Sequence, residues 1–83
     1  MVMKTITISK NAEMDARRLA LLVQTAGGFE ADVYLKSGAR RVNAKSLMGT
    51  MALRMIGGEE ITVSASGTDE NEALKKLSDF LGE

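Results

Sequence analysis

The sequence predicts an α+β fold, with one antiparallel sheet wet on one face and helices covering the other. Two observations predict it. Short runs alternate apolar and polar residues, the pattern of strands buried on one side only. Longer runs at helical spacing fall between them, in the order strand, helix, strand, strand, short helix, strand, helix.

The first strand is read at residues 4–9, where Ile6 and Ile8 point one way and Thr5, Thr7 and Ser9 the other. Residues 10–14 break the period. Asp15 then opens a helix in which Ala16, Leu19, Leu22, Val23 and Ala26 recur at helical spacing. Gly27-Gly28 stop it, glycine being suited to the left-handed turn of a helix end, and Phe29 is expected to cap the core beneath. Ala31, Val33 and Leu35 alternate with Asp32, Tyr34 and Lys36 in a second strand. Ser37-Gly38 turns the chain, and residues 40–42 return as a hairpin.

A short helix follows from Ser46 to about Leu53 or Met55, with Gly57-Gly58 as its stop. Ile61, Val63 and Ala65 alternate with Thr62, Ser64 and Ser66 in a fourth strand. Gly67 turns the chain again. Asp69 with Glu72 three residues on reads as a capping box. Ala73, Leu74, Leu77, Phe80 and Leu81 then form an amphipathic helix ending near Gly82.

The 83 residues suffice for one domain spanning 1–83, and the 45% apolar content for one core. Lys plus Arg and Asp plus Glu are both 11, so no global field draws the chain to nucleic acid or to an acidic membrane. Arg40-Arg41 is not a basic tract, and one Tyr with two Phe make no stacking platform. Cysteine is absent, which removes disulfides and thiolate chemistry and fits a cytoplasmic protein. Histidine is absent too, so no imidazole base, nucleophile or zinc ligand exists. No apolar run reaches the length of a signal peptide's core or of a membrane span. No cofactor or metal is expected.

The stretch around Ser46 carries the sharpest candidate. A hydroxyl there accepts a first-turn amide, and Leu47, Met48 and Met51 follow at helical spacing, with Leu47 and Met51 on one face. One reading sends the methionines into the core. The other makes a docking surface switched by phosphate on Ser46, about −2 charge at the positive end of a helix dipole.

Several segments resemble the HPr family, the small phosphocarrier of the bacterial sugar phosphotransferase system. They are Lys4-Thr5, Asp15-Ala16-Arg17, Ala31-Asp32-Val33, Val42-Asn43-Ala44-Lys45-Ser46-Leu47-Met48-Gly49, and Ile61 with the residues through Asn71. The resemblance runs end to end without gaps. It implies an HPr-like open-faced β-sandwich, a four-stranded antiparallel sheet covered by three helices in the order βαββαβα. The departures are as informative. The family's phosphoacceptor histidine is Asp15 here, its proline is Arg18, and the glycine two residues before the histidine is Glu13. Carriage of phosphate through a histidine nitrogen is therefore not expected.

The chain is similar in this to the catabolite-repression paralogues called Crh, which lack the histidine and keep the serine. They usually carry Gln where this chain has Asp15. The resemblance implies phosphorylation of Ser46 by an HPr kinase/phosphorylase. It also implies binding of the phosphoserine form to a LacI-type catabolite control protein, with other phosphotransferase-system proteins as further partners. No enzymatic activity, direct nucleic-acid contact or membrane contact is expected. The chain is expected to be a monomer or a weak, strand-exchanged dimer, the first strand being joined by the loop at 10–14.

Residue by residue, Asp15 reads first as a helix cap. An aspartyl-phosphate would need Mg²⁺ and acidic neighbours, and only Glu13 is close in sequence. Arg17 opposes the helix dipole in a first turn, and in the family it matches an arginine beside the phosphate and in partner contacts. Arg18 reads as plain surface. Lys45 reads as a phosphate contact or a solvated charge, and Leu47, Met48 and Met51 as the family's partner patch. Gly49 weakens its helix by about 1 kcal/mol relative to alanine, which points to close backbone approach. Two further readings stand beside the regulatory one: a phosphocarrier using Asp15 as acceptor, and a degenerate paralogue competing for HPr partners.

Overall fold

The computed structural model describes residues 1–10 and 14–82. Its elements are β1 (Val2–Thr7), α1 (Ala16–Gly27), β2 (Asp32–Ser37), β3 (Arg40–Asn43), α2 (Leu47–Leu53), β4 (Glu60–Ser66) and α3 (Glu70–Leu81). The strands form one antiparallel sheet in the order β1-β4-β2-β3. The expected order of elements holds. β1 begins earlier than residue 4, because Met3 faces the wet side and Val2 pairs with buried Ala65, continuing the alternation backwards.

The dry face is built as the alternation demands. Val33, Leu35, Ile61, Val63 and Ala65 are buried, and Leu19, Leu22, Ala26, Ala73, Leu77 and Leu81 of the long helices close over them. α3 lies along β1, β4 and β2, α2 lies beside β3, and α1 packs on α2 and α3. Phe29 is half-buried against this core, as expected, and so is Met14, at the end of the stretch that breaks the strand period. Ala16, read as part of the apolar stripe, is exposed.

The ends of the helices depart from the sequence reading. Gly28 caps α1 in a right-handed conformation, with φ −76°, and its amide bonds to carbonyls of the last turn, so no left-handed turn is used. α2 ends at Arg54, in the left-handed region at φ 54°, before the Gly57-Gly58 pair is reached. The capping box at α3 does not form. Asp69 makes no cap bond; its carboxylate instead accepts the amides of Glu30 and Ala31 at 2.9 and 2.8 Å. Glu70 takes the turn's amide from Gly67. Gly67 has φ 153°, and a Cβ there would lie 2.6 Å from Ala31 Cα, so only glycine lets β2 and α3 start so close together.

Candidate functional site

Two helix starts carry the candidate residues, and both are capped in the same way. At α1, Asp15 has extended backbone and its Oδ1 accepts the amide of Arg18 at 2.9 Å. At α2, Ser46 has extended backbone and its Oγ accepts the amide of Gly49 at 3.1 Å. The local geometry follows from short polar side chains that satisfy a first-turn donor the helix cannot. Asn43 prepares the second start. Its Oδ1 accepts the Lys45 amide and its carbonyl accepts the Ser46 amide, turning the chain out of β3.

Behind Ser46 the two readings of α2 separate. The residues it sends inward are Thr50, fully buried, and Leu53. Thr50 stays satisfied because its hydroxyl donates to the Leu47 carbonyl at 2.9 Å. Leu47, Met48 and Met51 remain 41%, 83% and 50% exposed. The reading that sends the methionines into the core is thus corrected. The inward face belongs to Thr50 and Leu53, and the trio is a solvent-facing apolar ridge beside an exposed serine. Burying a threonine while leaving methionines in water is the reverse of what core packing alone selects.

Gly49 completes this geometry. A Cβ there would lie 3.3 Å from Ser46 Oγ and 3.4 Å from Val42 Cβ. The missing methyl group leaves room beside the hydroxyl and lets the first turn sit close over β3. The close approach that a mid-helix glycine suggested is therefore present.

The cations divide. Arg17 is exposed and makes no hydrogen bond or ion pair among the described residues. Arg18, read as plain surface, is half-buried. Its Nη2 donates to the Phe80 carbonyl at 2.9 Å and its guanidinium lies 4.5 Å from the centre of the Phe80 ring. It straps α1 to the end of α3, where carbonyls without helical partners favour a cation. Lys45 does not turn toward Ser46. Its Nζ donates to the Phe29 carbonyl at 2.8 Å, and its charge helps lower the Asp69 pKa. Arg40, to which no role was given, donates to the Ala52 carbonyl at 2.8 Å near the end of α2. These partners lie 12 to 62 residues away along the chain, beyond the reach of local pattern.

No hydrogen bond or ion pair joins Asp15 to Ser46 or its neighbours among the described residues. Lys45 anchors the start of α2 beside the end of α1, whereas Asp15 and Arg17 stand at the beginning of α1. The axis of that 12-residue helix is about 18 Å long. Glu13, the one acidic neighbour expected for Asp15, lies outside the described residues. Among the described residues no three His, Cys, Asp or Glu side chains gather as metal ligands would, and no helix is long and apolar enough to cross a membrane.

A one-sided sheet whose helix layer presents a capped serine and a bare apolar ridge defines a binding module rather than a catalytic pocket. Comparisons with known proteins give it a family. The family model described as "PTS HPr component phosphorylation site" matches residues 2–83. The HPr-like protein Crh of Bacillus subtilis (strain 168) is 42% identical over 83 residues, covering 100% of this chain and 98% of that one. Phosphocarrier protein HPr from Bacillus anthracis has a crystal structure that superposes with a TM-score of 0.91 at 39% identity, over 96% of this chain and 95% of that one. The crystal structure of Bacillus subtilis Crh, described as an intertwined dimer with a swapped domain, superposes with a TM-score of 0.77 at 42% identity, over 96% and 92% of the two chains. The chain belongs to the HPr family of the phosphotransferase system. Its relatives are phosphocarriers and HPr-like proteins, not enzymes. This chain contains no histidine.

Proposed function

We propose that this chain is a cytoplasmic regulatory member of the family, acting in carbon catabolite control through phosphorylation of Ser46. In this reading an HPr kinase/phosphorylase modifies Ser46, and the modified chain binds a LacI-type catabolite control protein. Leu47, Met48 and Met51 supply the apolar contact, and Arg17 supplies a cation free to pair with a partner's carboxylate. Lys45 first holds the Phe29 carbonyl and contributes to the partner only by leaving it. The observation that carries the reading is the exposure of the ridge behind an accessible serine, in a chain without histidine. The names of the Crh relatives support the catabolite-repression role.

A phosphate at Ser46 sits at the positive end of α2, where the dipole favours it. Asp15 spends its carboxylate on the Arg18 amide, so the structure gives the alternative of an Asp15 phosphoacceptor no added support. A strand-exchanged dimer remains the association proposed for this chain by analogy with the Bacillus subtilis relative, and native mass measures it.

The test is incubation with HPr kinase and ATP followed by intact mass. One added phosphate is expected, absent from Ser46→Ala. No addition, or addition to Ser46→Ala, overturns the reading.

A further inference from the structure

We propose that the open face of the sheet is a second docking surface, fitted to a short acidic segment of a partner protein that also carries an apolar side chain. The proposal does not rest on Ser46, which belongs to the helix layer on the opposite side.

The register places Lys36 directly across from Arg41, on the side of the sheet that no helix covers. Like charges directly opposite each other destabilise a strand pair. Neither cation is neutralised by a carboxylate among the described residues. Arg41 is not loosely solvated. Its guanidinium lies over the Tyr34 ring, 3.9 Å from the ring centre, a contact that positions the cation. A positioned guanidinium across from an ammonium, neither with a carboxylate partner among the described residues, suits a carboxylate, which a guanidinium can take in two-pronged fashion.

The same face continues into a groove of about 460 Å³ lined by Met1, Met3, Thr5, Lys36, Arg41, Thr62 and Ser64. Thr5 and Thr62 are hydrogen-bonded to each other at 2.9 Å along its floor. Met1 and Met3, 69% and 62% exposed, form its far wall. Strand order puts Met3 three strand spacings from Arg41, and the register sets it two residues further along, a separation of about 16 Å. An extended segment with an apolar residue and a carboxylate five positions apart spans about 16 Å and meets both ends.

Charge also limits the occupant. Asp32 and Glu60 lie on this face on either side of the cationic row, by the register of β2 and β4. A nucleic-acid strand or an anionic membrane surface extends past the cations and meets those carboxylates. A short acidic segment lying across the strands does not.

The test uses the whole chain, isotope-labelled, and a capped hexapeptide of sequence Leu-Ser-Gly-Ser-Glu-Glu followed by amide chemical shifts. Saturable shifts are expected at residues 34–36, 41–43 and 62–64. Lys36→Glu turns the cross-strand pair into an opposite-charge pair. It should raise the melting temperature while weakening the peptide by about tenfold or more. A role in folding alone does not predict that opposition. Three results overturn the proposal: no saturable shifts at several millimolar peptide, shifts that Lys36→Glu leaves unchanged, or tighter binding of oligothymidine or phosphatidylglycerol vesicles at the same residues. Self-association of the free chain through this face overturns it as well.

Discussion

The starts of α1 and α2 are local copies of one another: an extended residue, a side-chain oxygen, and an amide three positions on held at 2.9 and 3.1 Å. What lies behind each cap differs. Behind Asp15, Arg18 is strapped to Phe80 and the helix face is spent on packing. Behind Ser46, three large apolar side chains face water while a threonine fills the core. The cap by itself does not separate a structural helix start from the start we propose as the signalling one. The use made of the next turn does.

The comparison can be broken most forcefully within α2. Leu53→Ala removes a buried side chain and should cost about 2–5 kcal/mol in chemical denaturation. Met48→Ala, on the same helix, should change stability by no more than about 0.5 kcal/mol yet weaken partner binding by more than about 1 kcal/mol. If Met48→Ala destabilises as Leu53→Ala does, the ridge is core and the contrast fails.

Arg18→Ala comes next. Losing the bond to the Phe80 carbonyl and the contact with its ring should cost about 1–2 kcal/mol, seen as a lower denaturation midpoint, with no effect on phosphorylation of Ser46. Then the caps themselves: Asp15→Ala and Ser46→Ala should each cost about 1 kcal/mol, a near-equal loss. Only the second should abolish modification.

The smallest effect concerns Asp69. The Glu30 amide foremost, and then the Ala31 amide and the Lys45 charge, hold its pKa below the ordinary 3.8, against a desolvation that raises it. A carboxyl whose folded-state pKa is lowered stabilises the fold fully above its unfolded value and loses that contribution as pH falls through the lowered one. The melting temperature of Asp69→Asn should therefore fall short of the parent's near neutral pH, and the gap should close well below pH 3.8.

Periodicity made the seven elements and the dry face of the sheet legible, because burial on one side writes itself into alternation and helical spacing. The helix ends were not legible. Arg54 stops α2 in a left-handed conformation that sequence assigns to the glycines beyond it. Asp69 satisfies amides 38 and 39 residues away rather than its own helix. At the candidate site, 100° per residue put Leu47 and Met51 on one face without saying which face was dry. Thr50 decides that, and a threonine gives no apolar signal. The destinations of Arg18 and Lys45 were equally invisible, since a long cation finds its carbonyl in the fold and not along the chain.

The central claim is that the Ser46 start is the working surface and the Asp15 start is a cap. The most direct measurement is the affinity of the chain for the LacI-type catabolite control protein with and without phosphate on Ser46, by calorimetric titration. The account predicts binding at least about tenfold tighter with the phosphate. Equal affinity in the two forms would contradict it.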